Sequence, residues 1–267
     1  MTDSLQFVDY ANSLIPWVMN SGENFKELLN IMSVIPQMTL NNQLLLLGYK
    51  KDAVLIKDYE EWLRQGVNIR ENATYIPVLV PVKESGDFEV KSYVDVNDTD
   101  MEYKSPKMDN LDVLEAVLTN RNAEICIVEE LKQYNVKAFY EPKEKLIKVQ
   151  KSSQVSADTF AMEILRENYH SMYHKAYEED AAYPRGNFTY VAQAAAYATC
   201  KRYGIDTEGI NLDNIPNRYT RFGDKEARKL LDMVSGFNRQ MCQGMDASLE
   251  TIKSREIGNR EVLSYDR

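Results

Sequence analysis

The stretch ILRENYHSMYH, residues 164–174, contains the only two histidines of the 267-residue chain. His170 and His174 are four positions apart, and on an α-helix this spacing places both side chains on one face. Two histidines so placed can share a metal ion, as in the pattern His-Glu-x-x-His, where the glutamate acts as a base on metal-bound water. Here Ser171 takes the place of that glutamate, so this frame of the motif is broken.

A second frame of the same motif starts four residues earlier. It has Glu167 as the base and His170 as the second histidine, but Arg166 stands where the first histidine should be. A catalytic zinc needs three protein ligands and an open position. The fixed positive charge of a guanidinium repels a metal ion. The sequence therefore predicts a helix in which neither frame of the metal motif is intact.

The segments on either side of this helix predict a hairpin before it and a second helix after it. Strand-forming residues flank the polar turn at residues 141–145, which predicts a β-hairpin over residues 136–150. Ser156 and Asp158 are both candidates for the N-cap of the long helix. An alanine-rich helix follows and ends at Gly204.

The first hundred residues predict several helices followed by a small antiparallel sheet. Apolar residues recur at helical spacing in four segments, and two later segments alternate around a Ser-Gly-Asp turn. The predicted helices cover residues 5–19, 23–35, 39–52 and 58–66, and the predicted strands cover residues 74–84 and 88–96. Polar residues 97–110 are the best candidate for a linker. Further helices are predicted over residues 111–120 and 223–250, so the expected fold class is α+β.

The composition is that of an ordinary globular chain. Hydrophobic residues make up 44% of the sequence and charged residues 27%. No apolar run approaches the roughly 18 residues that a membrane-spanning helix needs, and the start of the chain lacks the features of a secretion signal. Three scattered cysteines favour reduced thiols over a disulfide framework, so a cytoplasmic location is expected.

The net charge of −9 is confined to the first part of the chain. Residues 1–120 carry 10 Lys and Arg against 19 Asp and Glu, whereas residues 121–267 carry 22 of each. An acidic surface repels the phosphate backbone of nucleic acids. Bulk charge therefore does not favour non-specific binding of nucleic acid by the first part.

The histidine helix and the segments after it resemble the metallopeptidase domain of ArdC-type antirestriction proteins and of the related LtrC-like proteins of conjugative elements. These in turn resemble the ImmA/IrrE-type peptidases. The family helix typically reads His-Glu-x-x-His-x-x-x-His, which residues 166–174 match apart from Arg166. The next family helix supplies a third ligand, a glutamate in an Ala-Glu-x-x-Ala-Tyr context; here residues 191–197 read VAQAAAY, which places Gln193 at that position. The segment YGIDT, residues 203–207, matches the family's Gly-hydrophobic-Asp-Thr.

The resemblance implies a zincin-like fold in which the metal site has been lost. It predicts no catalytic residue, with Glu167 as a vestigial base, and no bound metal, with Arg166, His170 and Gln193 at vestigial ligand positions. We expect an ion pair of Arg166 with Glu167 or another carboxylate in place of the metal. Two alternatives stay open, namely a rearranged zinc site formed by His170, His174 and an outside carboxylate, and two surface histidines without a site.

A fainter resemblance covers the N-terminal part, where ArdC-type proteins have a domain linked to single-stranded DNA binding. The shared features are an asparagine before an apolar helix (Asn42), an aromatic-x-x-Trp-x-x-x-Gly step (Tyr59 to Gly66) and a strand with Pro-Val (residues 75–82). The expected division is an ArdC-like N-terminal domain over residues 1–104, a degenerate zincin-like domain of a hairpin plus helices over residues 105–250, and a polar, loosely held tail over residues 251–267.

Candidate nucleic-acid-binding residues lie in the N-terminal part, since single-strand binders combine a basic groove with aromatic side chains on which bases stack. The candidates are Lys50, Lys51, Tyr59, Trp62, Arg64 and Arg70. Each also has a structural interpretation. Trp62 on an amphipathic helix is more often a core residue than a stacking platform, and the cations are as often ordinary surface charges.

The resemblance implies a mobile-element or phage protein related to the ArdC and LtrC antirestriction proteins, which acts by binding and does not cut. Its partner would be single-stranded DNA or, given the acidic first part, a basic host protein of DNA processing or defence. No cofactor is expected for this function. The alternatives are a zinc-dependent metallopeptidase with an altered site, and a structural or assembly protein of the element.

Overall fold

The computed structural model describes residues 2–82, 86–104, 108–131, 136–151, 156–176, 183–208, 210–219 and 223–265. Helices and two small sheets give an α+β fold, as predicted. The chain divides into two compact units, Met1–Pro106 with Leu212–Gly236, and Lys107–Asn211 with Phe237–Arg267. The domain limits expected from the sequence stay a prediction. None of the helices described is both long and apolar enough to cross a membrane.

The first unit begins with helices whose apolar faces form its core. They are α1 (Thr2–Ser13), α2 (Ile15–Val18), α3 (Gly22–Val34), α4 (Leu40–Tyr49) and α5 (Tyr59–Arg64). The helix predicted over residues 5–19 is in fact two helices, because α2 starts anew with Pro16 in its first turn, where a proline is tolerated. The hydroxyl of Ser21 accepts a hydrogen bond from the Asn24 amide at 3.1 Å and so caps α3.

Three antiparallel strands form the sheet of the first unit. The strands are β1 (Ile56–Asp58), β2 (Ile76–Pro81) and β3 (Phe88–Asp95), and β3 lies in the middle. The predicted hairpin is confirmed for β2 and β3, which pair with Leu79 opposite Val90, while Ser85 of the expected turn lies outside the described residues. Strand β1 was not predicted, because three residues are too few to show an alternating pattern.

The 3₁₀ turn Val96–Asp98 follows β3 and is held by the buried Asp95. Its carboxylate accepts hydrogen bonds from the amides of Val54 and Leu55 at 2.8 and 3.0 Å, and from that of Asn97 at 3.0 Å. One buried side chain thus joins the end of β3 to the loop before β1.

The second unit contains the long helix that carries the histidines. Its elements are α6 (Asn110–Thr119), β4 (Glu124–Val128), β5 (Ala138–Glu141), β6 (Leu146–Gln150), α7 (Ala157–Ala176) and α8 (Arg185–Tyr203). The predicted hairpin is confirmed by the antiparallel pair of β5 and β6. Strand β4, which pairs with β6 in parallel, was missed because most of its residues are exposed and give no buried face. The Ser156 hydroxyl accepts from the Thr159 amide at 3.1 Å and caps α7.

Two more helices complete the chain. They are α9 (Asn214–Tyr219), which packs against α3, and α10 (Asp224–Tyr265). The sequence prediction ended the last helix at Glu250 and described the remainder as a loosely held tail. That end is corrected: α10 continues to Tyr265, and the side chain of Ile252 is buried. Ile252 follows the buried Leu249 by three positions, so the buried face of the helix continues past the predicted end.

Candidate functional site

Glu167, which the sequence analysis expects to be a vestigial base, is completely buried on α7. Its Oε2 accepts a hydrogen bond from the backbone amide of Tyr140 on β5 at 2.7 Å. The Arg185 guanidinium reaches both carboxylate oxygens, at 2.8 and 2.7 Å, and the Nε of Arg166 contacts Oε1 at 3.1 Å. Both oxygens of the vestigial base are therefore held by two cations and one peptide amide.

Arg166 forms the expected ion pair and a second one. Its two terminal nitrogens bind the carboxylate of Glu163 at 3.2 and 2.6 Å, the fork-like geometry that makes arginine–carboxylate pairs strong. Burial on its own lowers the pKa of Arg166, but the carboxylates of Glu163 and Glu167 outweigh it and raise the pKa. The guanidinium is thus permanently charged.

Arg185 was missed by the sequence analysis. It is the first residue of α8 and stacks over the ring of Phe139, with the guanidinium carbon 4.2 Å from the ring centroid. It lies 18 residues from Glu167 and belongs to no recognised motif, so only the folded chain brings the two together. With Glu163, Arg166 and Glu167 it completes a largely buried cluster of two carboxylates and two guanidinium groups, in which the formal charges balance.

His170 is 1% exposed, and its Nδ1 is hydrogen-bonded to the Tyr183 hydroxyl at 2.5 Å. Its Nε2 is buried and has no hydrogen-bond partner among the residues that the structure describes. Burial and, to a smaller extent, the positive charges of Arg185 and Arg166 together lower the pKa of His170 to about 2. The ring is therefore neutral at physiological pH.

His174 has a different partner from His170. Its Nδ1 lies 2.8 Å from the hydroxyl of Tyr140, and the ring of Tyr183 contacts both imidazoles. The two histidines are thus each engaged by a tyrosine hydroxyl. Among the residues that the structure describes, no group of three or more His, Cys, Asp or Glu side chains could hold a metal ion.

Gln193, at the third vestigial ligand position, is half-buried on α8. Within the described part of the chain, no hydrogen bond joins it to Arg166 or His170. The contacts bring Arg166 and Glu167 together and place His170 within electrostatic range of Arg166. A zinc ion does not fit these residues, because His170 is the one imidazole at the three positions that the resemblance indicates, Gln193 offers only a neutral amide, and a guanidinium occupies the third.

The candidate nucleic-acid-binding residues of the first unit are distributed between core and surface. Trp62 is fully buried against Val94 and Val96, and its indole N–H donates to the Val94 carbonyl at 2.9 Å. Neither face of its ring is open to a base, so the structure places it in the core and not on a platform. Lys50 is also mostly buried, and its Nζ lies 3.0 Å from a carboxylate oxygen of Asp98.

The other four candidates lie nearer the surface. The Nζ of Lys51 is 3.4 Å from the Glu27 carboxylate, and Arg70 donates to the backbone carbonyl of Asn97 at 3.0 Å. Tyr59 and Arg64 border a cleft of about 610 Å³. Its lining residues carry two acidic and two basic side chains and are Asp58, Tyr59, Glu60, Arg64, Lys91 and Ser92. The charges of this cleft are mixed and do not form a basic groove.

Comparison with solved structures finds the antirestriction protein ArdC of plasmid R388. Its Mn(II)-bound crystal structure matches 78% of this chain and 84% of that one, with a TM-score of 0.51 and 14% sequence identity. The chain adopts the ArdC fold. The metal-free ArdC structure gives a TM-score of 0.46 at 13% identity and covers 79% and 85% of the two chains. No family model and no curated protein matches the sequence.

The resemblance to ArdC-type proteins that the histidine helix indicated is thus confirmed for the fold. It is carried by the architecture, since 14% identity over 78% of the chain leaves most side chains different from those of ArdC. In the second unit of this chain, a hairpin, the histidine helix and an alanine-rich helix follow one another. The chemistry of the site must be read from the residues of this chain.

Proposed function

We propose that this chain is a non-catalytic protein of the ArdC fold that serves a mobile element in antirestriction by binding a partner without cutting it. The observation that carries the proposal is the environment of Glu167. A base that activates a metal-bound water must present a free carboxylate oxygen to that water. Here Arg166, Arg185 and the Tyr140 amide already engage both oxygens.

The charge balance of the cluster supports the same proposal. The two guanidinium groups lie next to Glu163 and Glu167. They supply the positive charge that a divalent cation would otherwise bring. Placing a metal ion beside them would require breaking buried ion pairs, which is costly because each partner is left without its counter-charge. The ArdC of plasmid R388 has a Mn(II)-bound structure; we infer that this chain has lost that property.

The ion pairs of the first unit favour a protein as the partner over single-stranded DNA. Lys50 and Lys51 are engaged by carboxylates, Arg70 by a carbonyl, and Trp62 is in the core. Residues 1–120 also carry a net charge of −9, from 10 basic and 19 acidic residues. Such a surface attracts a basic protein and repels a phosphate backbone. A basic host protein that handles or restricts DNA has the matching charge.

The first test of this proposal is a titration of the full chain with single-stranded DNA at increasing salt. We expect weak binding and a shallow salt dependence at every step between 50 and 200 mM, the range over which a protein with six to ten phosphate contacts loses about 10³–10⁵ in affinity. The Arg64→Gln and Arg70→Gln variants should behave like the parent chain. Tight binding that falls steeply with salt and weakens in either variant would assign the partner as single-stranded DNA.

A further inference from the structure

Within the described ranges of the chain, one edge of β3 has no neighbouring strand over most of its length. Strand β1 pairs with β3 only from Tyr93 to Asp95, whereas β2 pairs with it from Phe88 to Tyr93. All five residues from Phe88 to Ser92 are exposed, although they belong to the central strand of the sheet. Phe88 is 44% exposed and Val90 is 37% exposed. On the β1 side, none of the described residues forms a backbone hydrogen bond with this segment.

The backbone groups that point to this open edge can be assigned from two side-chain contacts. Asn42 bonds both the amide and the carbonyl of Leu79 at 2.8 and 2.9 Å, so the Leu79 backbone faces away from β3. Leu79 is directly opposite Val90. In an antiparallel pair, the backbone N–H and C=O groups of two directly opposite residues either both point toward each other or both point away, so those of Val90 also point away from β2. The carbonyl of Val94 accepts from Trp62 on the β1 side. Because backbone groups alternate in direction from one residue to the next along a strand, the N–H and C=O groups of Ser92, Val90 and Phe88 point to the same open edge.

The opposite edge of the sheet is closed. The residues of β2 whose backbone faces outward are Pro77, Leu79 and Pro81, by the same alternation. Two of these are prolines, which have no N–H to donate, and the third is saturated by Asn42. The β2 edge therefore cannot extend the sheet, and the β3 edge can.

The sequence at the open edge, Phe88-Glu89-Val90-Lys91-Ser92, is complementary in charge to itself when it is reversed. If two copies pair antiparallel with Val90 opposite Val90, each Glu89 lies directly opposite a Lys91. A neighbouring register that also aligns the outward backbone N–H and C=O groups would place Glu89 opposite Glu89. Two like charges directly opposite each other are unfavourable. Within one chain Glu89 and Lys91 lie on the same side of the strand, with 3.4 Å between Nζ and the carboxylate.

We propose that the β3 edge, residues 88–92, is the docking surface for the β3 edge of a second copy of this chain. The two strands pair antiparallel about a two-fold axis at Val90, with up to about six backbone hydrogen bonds and two pairs of Glu89 with Lys91. The exposed side chains of Val90 pack against each other across the axis. Because the β2 edge is closed, pairing stops at a dimer and does not continue into a fibre.

The cleft beside this edge leaves room for a second strand. It lies past the end of β1, between the start of α5 and residues Lys91 and Ser92. All of its lining residues belong to the first unit. The inference does not depend on the proposed function, since the edge and its charges are distant in sequence from the cluster around Glu167.

The test is the dissociation constant of the full-length dimer, measured by sedimentation velocity over a range of concentrations. We expect reversible dimers of the parent chain, and at least about tenfold weaker dimers for Lys91→Glu or Glu89→Lys, because each creates two like-charge pairs across the axis. The double variant E89K/K91E restores opposite charges and should dimerise like the parent. Val90→Pro removes an outward N–H without removing a bond to β2 and should also weaken the dimer.

Lys104→Glu is the matched control for the single variants. Lys104 and Glu102 form an ion pair of 3.0 Å, and their side chains are 85% and 81% exposed. This substitution changes the net charge by the same amount as Lys91→Glu and leaves the β3 edge intact. Its dimer should dissociate like that of the parent, and thermal unfolding should show all variants to be folded. A parent chain that stays monomeric overturns the inference. In that case the β3 edge would be available to bind an extended segment of another protein. A dimer insensitive to the charge changes, or one not restored in the double variant, overturns it equally.

Discussion

Replacing Glu167 by alanine is expected to destabilise the folded chain by roughly 3–5 kcal/mol, the cost of removing one partner from a buried ion pair. The side chain is 0% exposed and forms contacts with Arg166, Arg185 and the Tyr140 amide. Without it, Arg185 loses its carboxylate partner, Arg166 keeps only Glu163, and a buried amide loses its acceptor. A glutamate kept only as the remnant of an active site would not have this effect.

The measurement is the free energy of unfolding of the second unit, obtained from a denaturant titration. Glu124→Ala is the control, because Glu124 forms an exposed ion pair with Arg121 at 3.2 Å in the same unit. Exposed pairs contribute roughly 0–1 kcal/mol, so this variant should unfold almost like the parent. A Glu167→Ala protein as stable as the Glu124→Ala protein would show that the cluster does not stabilise the fold.

Replacing Trp62 by alanine is expected to cost about 3–5 kcal/mol, as is usual when a large aromatic side chain is removed from a core. The indole is fully buried against Val94 and Val96, and its N–H satisfies the Val94 carbonyl. The variant leaves both a cavity and an unsatisfied carbonyl. The effect follows from the core position of Trp62 and would not be expected of a surface platform.

Denaturant unfolding of Trp62→Ala measures this effect, and Tyr59→Ala serves as the control because Tyr59 is only half-buried beside the cleft. The control should lose much less stability. If Trp62→Ala instead keeps the stability of the parent and loses affinity for single-stranded DNA, the residue is a stacking platform and its placement in the core is contradicted.

The elements that could be predicted from the sequence are those with a strong local signal. Helices α3, α4, α7 and α8 have apolar residues at helical spacing or a capping residue, and both hairpins have a polar turn between alternating segments. Strands β1 and β4 lack such signals, since one has three residues and the other exposes most of its side chains. The end of α10 was misjudged because a polar helix surface looks like a tail in the sequence.

The candidate site could be predicted only in part. The motif frame identified Arg166, Glu167 and His170, and the charge of Arg166 alone required a carboxylate near it. Arg185 and Tyr140 could not be found, because they reach Glu167 through the packing of α8 and β5 against α7. The contact of Tyr183 with His170 likewise joins residues that no motif relates. Sequence spacing reports neighbours on one helix, whereas these contacts join separate elements.

The most direct test of the central claim is the metal content of the purified full-length chain after equilibration with excess Zn²⁺ or Mn²⁺ and removal of unbound ions. We expect well under one ion per chain for both metals, because Arg166 and Arg185 hold Glu167 and the sole remaining ligand, His170, cannot bind a metal tightly alone. One tightly bound ion per chain that is lost in His170→Ala would contradict the account.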